Sequence, residues 1–210
     1  MNNIAIFPYC GNGLEVLDAL GEIQGGEIIF LTDDENYIGT KYQNIDIISR
    51  KEYLANNQTK LIAVHGSAKS YCQRLNVIKQ LESENSINWE TIIHPSAQIS
   101  KYSKIGHNVF ISAGVVIGPN VIIEDHVIIL ANSVIHHDSV IKSGSIICGN
   151  VLIAGNVIIH EEVYIGAGAC VKDSIEIQTK AQAGIGSVIL KNIPKNEVWV
   201  GNPAKLLIKK

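Results

Sequence analysis

The stretch at residues 93–117 reads IHPSAQ ISKYSK IGHNVF ISAGVV I, with isoleucine at every sixth position. The period runs on to Ile189 as seventeen hexads, each opened by an aliphatic residue and each carrying a small or β-branched residue four positions later. Spacings of four and two put both residues on one side of a pleated strand, whereas a helix needs spacings of three and four. A short fixed period of this kind predicts a solenoid of very short strands, in which each unit buries its apolar face only against its neighbours.

Residues 1 to about 85 follow a different pattern, in which short apolar runs alternate with helical spacing. The sequence predicts three strands, a glycine turn and two helices, in this order: strand Asn3–Phe7, turn Gly11–Gly13, helix Leu14–Leu20, strand Glu27–Leu31, strand Lys60–Val64 and helix Ser70–Leu81. Alternating β and α elements imply a small parallel sheet, and ligands of such sheets sit at the carboxyl ends of the strands. The first segment is therefore expected to be an α/β domain.

Composition and charge exclude several classes of partner. The chain of 210 residues is 46% hydrophobic and 18% charged, and its formal net charge is −3 without a basic run, so no nucleic-acid partner is expected. The first residues lack a basic segment followed by an apolar one, which predicts a cytoplasmic protein without a membrane partner. Its four cysteines are dispersed and lack metal-type spacing, so they are expected to be reduced and structural, with no bound metal.

Both the hexads and the C-terminal segment of the chain are similar to those of a known family. The segments Ile165-Gly166-Ala167-Gly168-Ala169 and Gly201-Asn202-Pro203-Ala204-Lys205 resemble those of the hexapeptide-repeat acyltransferases. The resemblance implies an all-β left-handed parallel β-helix over residues 86–210, including a C-terminal tail, with three hexads per turn. Residues eighteen apart would stack on each other. It also implies a homotrimer with active sites between adjacent β-helices.

The first loop, Pro8-Tyr9-Cys10-Gly11-Asn12-Gly13, resembles that of the sugar acyltransferases of the PglD and NeuD type. Pro8 stands where their first glycine commonly lies, and Asn12 replaces a histidine. The resemblance implies a Rossmann-like nucleotide-sugar-binding domain over residues 1–85. Its expected substrate contacts are main-chain groups of Cys10, Gly11 and Asn12, a carboxylate of Asp33 or Asp34 that accepts hydrogen bonds from the base, and a close approach at Gly66.

His137 and Asp138 are the candidate catalytic residues. Related sugar acyltransferases carry a histidine followed directly by a carboxylate in this hexad. Attack of an amine or hydroxyl on a thioester requires loss of a proton, which a histidine with a pKa near about 6.5 can accept at neutral pH. The adjacent carboxylate would hold the ring and stabilise its imidazolium form. His107, His126 and His160 occupy outward hexad positions and are expected at the surface or at trimer contacts.

The acyl donor implied by the resemblance is acetyl-coenzyme A. Relatives often have a second histidine nine positions after the base, but this chain has Ile146 there, so donor placement would rely on main-chain groups or on a neighbouring subunit. The small residues of the later coils would let the pantetheine arm lie in a groove between coils. The candidate donor-binding residues are Ile146, Gly155, Ala167, Gly184 and Ile185.

Together with these residues, the resemblance implies an acetyl-coenzyme A-dependent N-acetyltransferase. Its expected acceptor is the amino group of a nucleotide-linked 4-amino-4,6-dideoxy sugar used for a surface glycan. O-acetylation of a sialic-acid-like sugar is an alternative, because amine and hydroxyl acceptors need the same base. A catalytically silent β-helical protein that binds sugar nucleotides is the alternative from another class. Serine acetyltransferases also use this helix but lack the N-terminal domain.

Overall fold

The N-terminal part of the chain forms a five-stranded sheet with three helices. The computed structural model describes residues 3–9, 11–21, 26–56, 59–84 and 86–208. The strands are β1 (Ile4–Phe7), β2 (Ile28–Thr32), β3 (Lys41–Tyr42), β4 (Ile45–Ser49) and β5 (Lys60–Ala63). The helices are α1 (Asn12–Gly21), α2 (Arg50–Asn56) and α3 (Arg74–Glu84), the last preceded by a 3₁₀ turn at Tyr71–Gln73.

The sheet has the order β3-β4-β2-β1-β5 and is parallel except for the β3–β4 hairpin. The predicted parallel sheet and the strands β1, β2 and β5 are therefore confirmed. The hairpin and α2 were not predicted. The hairpin turns at Gln43 and Asn44, which both have positive φ, and the turn contains no glycine or proline to mark it in the sequence.

The hexads form a three-sided coil of two-residue strands, one strand to each hexad. The first side contains β6 (Ile92–Ile93), β9 (Phe110–Ile111), β12 (Ile128–Ile129), β15 (Ile146–Ile147), β18 (Tyr164–Ile165) and β21 (Gln182–Ala183), and it is extended by β23 (Val198–Gly201) and β24 (Ala204–Leu206). The second side contains β7 (Gln98–Ile99), β10 (Val116–Ile117), β13 (Val134–Ile135), β16 (Leu152–Ile153), β19 (Cys170–Val171) and β22 (Val188–Ile189). The third side contains β8 (Lys104–Ile105), β11 (Ile122–Ile123), β14 (Val140–Ile141), β17 (Ile158–Ile159) and β20 (Glu176–Ile177).

Strand pairing confirms the stacking of residues eighteen apart. Ile117 pairs in parallel with Ile99 below it and with Ile135 above it. Aliphatic residues of successive coils fill the interior and form one continuous buried core. Inward serines are also buried, and each is satisfied by the backbone of the next coil; Ser139, for example, donates to the carbonyl of Ala154 and accepts from the amide of Val157.

The N-terminal unit packs on the first side of the coil. Phe110, Ile128 and Ile146 point outward from this side, yet they are buried in one cluster with residues of the N-terminal sheet and of α1. Arg74 joins the two parts, because its guanidinium donates to the carbonyls of Ala63, His65 and His126. The second and third sides remain free of this packing within the described ranges.

Two features of the part of the chain that the structure describes concern membranes and metal ions. No helix there is long and apolar enough to cross a membrane. Nor does that part of the chain bring together three or more histidine, cysteine, aspartate or glutamate side chains that could hold a metal ion.

Candidate functional site

His137 and Asp138 lie at the corner between the second and third sides, where β13 ends and β14 begins. His137 Nδ1 is 2.7 Å from Asp138 Oδ2, and both side chains are about half exposed. An ionised carboxylate can only accept, so Nδ1 carries the proton and Nε2 is left as an acceptor. The ring is thus oriented with a basic nitrogen directed away from the carboxylate, which is the state a general base requires.

A third residue, Asn120, lies one coil below and binds the same carboxylate. Its Nδ2 donates to Asp138 Oδ1 over 3.0 Å. The hydrogen bond from Asn120, followed by that from His137, lowers the pKa of Asp138 below its usual value. The carboxylate therefore stays ionised at neutral pH and can stabilise a protonated His137.

Glycines lie above and below the pair of His137 and Asp138. A methyl group placed on Gly155 would lie 2.7 Å from His137 Cε1 and 2.8 Å from Nε2. A methyl group on Gly118 would lie 3.0 Å from the amide nitrogen of His137. The imidazole thus lies directly against the backbone of Gly155, and no side chain separates it from that strip of the coil.

Three of the predicted donor-binding residues lie at another corner, between the first and second sides. Ala167 and Ile185 stack eighteen residues apart there, and Ile185 is 82% exposed. Gly184 faces the C-terminal strand, since a methyl group on it would lie 2.7 Å from Val200 Cγ1. Within one chain, these residues and His137 therefore occupy different edges of the coil.

Ile146 and Gly66 were predicted to contact different ligands, but they contact each other. Gly66 has φ +147°, and a methyl group on it would lie 2.5 Å from Ile146 Cδ1. Ile146 is only 1% exposed. Its side chain packs between the coil and the N-terminal unit, so a contact of Ile146 with the donor would have to come from its main chain. The missing Cβ of Gly66 makes room for the Ile146 side chain.

The carboxyl edge of the N-terminal sheet gathers the remaining predicted substrate residues. Gly11 has φ +53°, and Asn12 directs its side-chain amide to the carbonyls of Val64 and Gly66, which ties the first loop to the loop after β5. Cys10 lies outside the described residues. Gly13 is required by the loop, since a methyl group there would collide with the Pro8 carbonyl.

Both predicted base-binding carboxylates already have partners within the chain. Asp33 forms an ion pair of 2.5 Å with Arg50 at the start of α2. Asp34 Oδ1 accepts hydrogen bonds from the backbone and side-chain amides of Asn36. Both carboxylates are exposed, so each retains lone pairs that face solvent.

A cleft of about 530 Å³ separates α1 from the corner between the first and second sides. This volume lies within the usual range of about 300–1,000 Å³ for small-molecule sites. Burial raises the pKa of Glu15, which points into this region from α1. The lining residues are Leu14, Glu15, Asp18, His94, Ser112, Ala113, Leu130, Ala131 and Gly149.

Sequence reasoning missed Asn120 and Glu15. Asn120 could have been found from the stacking rule, since it lies eighteen positions before Asp138. Glu15 carries no such signal, because its position depends on how α1 meets the coil.

A family model and a curated relative each match only a part of this chain. A family model described as the GMPPB C-terminal domain matches residues 87–180. Serine acetyltransferase 3, mitochondrial, of Arabidopsis thaliana is 49% identical over 45 residues, which are 21% of this chain and 12% of that protein. The chain therefore matches only a small part of the length of this curated relative, and that part lies within a far longer protein.

Solved structures match over the whole chain. The acetyltransferase domain of PglB from Neisseria gonorrhoeae is 26% identical with a TM-score of 0.88, and the match covers 99% of this chain and 100% of that one. The same domain has been solved in complex with acetyl coenzyme A, with a TM-score of 0.89. A perosamine N-acetyltransferase from Caulobacter crescentus, solved with CoA and GDP-perosamine, shares the fold at 21% identity and a TM-score of 0.87, over 100% of this chain and 98% of that one.

Through its coil and these matches, the chain resembles the hexapeptide-repeat acyltransferases. Among the solved structures, the likeness over the full length is to an acetyltransferase domain and, in fold, to a perosamine N-acetyltransferase.

Proposed function

We propose that the chain is an acetyl-coenzyme A-dependent N-acetyltransferase. Its acceptor would be the amino group of a nucleotide-linked 4-amino-4,6-dideoxy sugar destined for a surface glycan, and the reaction would take place in the cytoplasm. The observation that carries the proposal is the His137–Asp138 pair, whose ring is exposed, oriented and in contact with Gly155. The full-length likeness to an acetyltransferase domain solved with acetyl coenzyme A supports the choice of donor, and the likeness to a perosamine N-acetyltransferase solved with GDP-perosamine supports the choice of acceptor.

His137 acts as the general base in the proposed reaction. Its Nε2 accepts the proton that the sugar amine loses as the nitrogen attacks the acyl carbon. Asp138 keeps Nδ1 protonated and stabilises the imidazolium. Acetyl-coenzyme A would supply the acyl group as a thioester, and the departing thiolate would take up the proton from the His137 imidazolium, which restores the base. Such a base contributes about 10²–10⁴-fold in rate.

The cleft beside α1 is the proposed acceptor site. Leu14 and Leu130 offer apolar surface that fits the methyl group of a 6-deoxy sugar. Glu15 and Asp18 bring two carboxylates to the same wall, and the two N–H groups of a neutral amine can each donate to one of them while the nitrogen lone pair stays free to attack. This wall favours an amino sugar over the alternative, a hydroxyl acceptor on a sialic-acid-like sugar.

A homotrimer would bring the cleft and the base together. His137 lies at one corner of the coil, while the cleft, Ala167 and Ile185 lie at another, so one chain alone does not form a complete site. The outward residues Val116 and Leu152 on the second side and Ile122 on the third side are apolar and more than a third exposed. Association of adjacent coils through these sides would cover them and place His137 of one subunit opposite the cleft of the next.

The N-terminal unit, residues 1–85, would hold the nucleotide as a Rossmann-like domain, and residues 86–210 would form a left-handed coil, as the resemblance to sugar acyltransferases implies. Main-chain groups at Gly11 and Asn12 line the carboxyl edge of the sheet, where such ligands bind. Asp34 is a better candidate than Asp33 for contact with the base, because its partner Asn36 carries no charge to compete with.

An assay of thiol release tests the proposal. The protein is mixed with acetyl-coenzyme A and a set of nucleotide-linked amino sugars, with the corresponding hydroxyl sugars as the comparison. We expect release only with an amino sugar, and a loss of at least about tenfold in His137→Ala with the oligomer intact. Faster turnover with the hydroxyl sugars would favour O-acetylation, and undiminished turnover in His137→Ala would exclude this base.

A catalytically silent binding protein is the second candidate, favoured by the absence of the second histidine at Ile146. Titration calorimetry separates it from the enzyme. Nucleotide binding without thiol release from any acceptor would support it, and the retained His137–Asp138 geometry argues against it.

A further inference from the structure

Asn120 lies directly beneath the catalytic pair and donates to the carboxylate that holds His137. We propose that Asn120 is a positioning residue, which fixes the Asp138 carboxylate in the orientation that receives the His137 Nδ1–H. This inference rests on the proposed role of His137 as the base. The two hydrogen bonds, 3.0 Å from Asn120 Nδ2 to Oδ1 and 2.7 Å from His137 Nδ1 to Oδ2, use one oxygen each.

The exposure of the pair explains why a third group is needed. Both His137 and Asp138 are about half exposed, and ion pairs at such positions contribute little stability. One weak contact cannot hold a carboxylate against rotation and against water. A second hydrogen bond to the other oxygen restrains the carboxylate plane, because both oxygens then have fixed partners.

Backbone geometry narrows the choice of residue at both positions. Asn120 and Asp138 each have φ +59°, a conformation that favours glycine, asparagine and aspartate. Of these three, only asparagine can donate from its side chain, and only aspartate can present a carboxylate. Stacking of the two corners eighteen residues apart then sets the distance between them, so a donor directly beneath the acceptor is a consequence of the coil.

The test variant is Asn120→Gly, which suits the positive φ and removes only the side chain. We expect kcat to fall about tenfold, the scale of one hydrogen bond to a charged group, while KM for both substrates stays unchanged. The matched control is Asn196→Gly, at an exposed position with φ +63° near the far end of the coil. This control should retain the wild-type kcat.

A double-mutant cycle distinguishes positioning from packing. In an Asp138→Gly background, Asn120→Gly should cause no further loss, because the carboxylate that it positions is gone. An equal loss in both backgrounds would overturn the inference, as would an unchanged kcat in Asn120→Gly alone. If His137→Ala keeps its activity, the proposed base fails whatever Asn120 does, so the two failures are distinguishable.

An NMR titration gives a readout that needs no acceptor sugar. The Asp138 carboxyl should titrate below the usual aspartate range in the wild type, and its midpoint should rise in Asn120→Gly but not in Asn196→Gly. An identical Asp138 midpoint in wild type and Asn120→Gly would also overturn the inference.

Discussion

At the scale of single residues, the candidate site depends on the side chains of His137 and Asp138. It depends equally on Gly155, which has no side chain beyond Cα. His137 lies against Gly155, whose backbone is one coil above it. The contact follows from the eighteen-residue stacking that also brings Asn120 beneath Asp138. Glycine at this position leaves the imidazole free to keep its hydrogen bond to Asp138.

We therefore predict that Gly155→Ala lowers kcat about a hundredfold, because the new methyl group would displace the His137 ring from its position. The fold should persist, since Gly155 is not among the residues with positive φ. Steady-state kinetics and circular dichroism check both parts. Gly21→Ala, where a methyl group meets nothing within 4 Å, is the control. A wild-type kcat in Gly155→Ala would show that the new methyl group does not displace the His137 ring.

At the scale of elements, the contact between the N-terminal unit and the coil is built around buried polar groups. Asn108 Oδ1 accepts from the amide of Ala63, so its Nδ2 faces His126 Nδ1 at 2.9 Å and donates to it. His126 was expected at the surface, but its side chain is largely covered and its ring packs edge-on against Trp89. Only an unprotonated Nδ1 can accept from Asn108.

Acid should weaken this contact. Burial is the largest effect and lowers the pKa of His126, and the charge of Arg74 lowers it further. Glu82 and Asp125 raise this pKa, whereas His107 adds to the lowering. Because the pKa is lower in the folded state, the unfolded chain binds more protons below about pH 6.5. The stabilising contribution is thus complete above that pH and is lost as pH falls toward the folded pKa.

We predict that the melting temperature falls by a few degrees between pH 7 and pH 5, and that His126→Asn reduces this fall. Asparagine tolerates the positive φ of residue 126 and offers an oxygen to Asn108 without titrating. Calorimetry at both pH values measures the difference. Part of the fall should remain, since burial also lowers the pKa of His65. An identical pH dependence in the two proteins would show that His126 is not responsible.

At the scale of the whole molecule, the three sides of the coil differ in what covers them. The N-terminal unit covers the first side, while apolar residues project outward from the second and third. Leu152, in the second side, is 40% exposed in the single chain. In the proposed trimer it would be buried against a neighbour.

We predict that Leu152→Lys dissociates the trimer, because it would bury an unpaired charge at each of three equivalent interfaces. Analytical ultracentrifugation should show monomers, and activity should fall with them if the site is shared between subunits. Ile38→Lys, a similarly exposed apolar position on the N-terminal unit, is the control and should remain trimeric. An unchanged oligomer in Leu152→Lys would exclude the second side as the interface.

The coil and the candidate pair of His137 and Asp138 could be predicted from the sequence and its resemblance to a known family. A period of six residues predicts strands and corners, and the resemblance supplied three hexads per turn, which the strand pairing confirms. In a stacked coil, the neighbours of any residue are found by counting eighteen positions. The contacts of His137 with Asp138 and Gly155 follow from this local and periodic order, as the contact of Asn120 with Asp138 does.

The contacts where the N-terminal unit meets the first side of the coil become visible only in the folded structure. It buries Ile146 against Gly66, turns His126 from an outward position into an interface residue and brings Glu15 to the wall of a cleft. These contacts join residues that are far apart in the chain and belong to elements with different periods. Their positions depend on the docking of two surfaces, for which no spacing within either segment provides a signal.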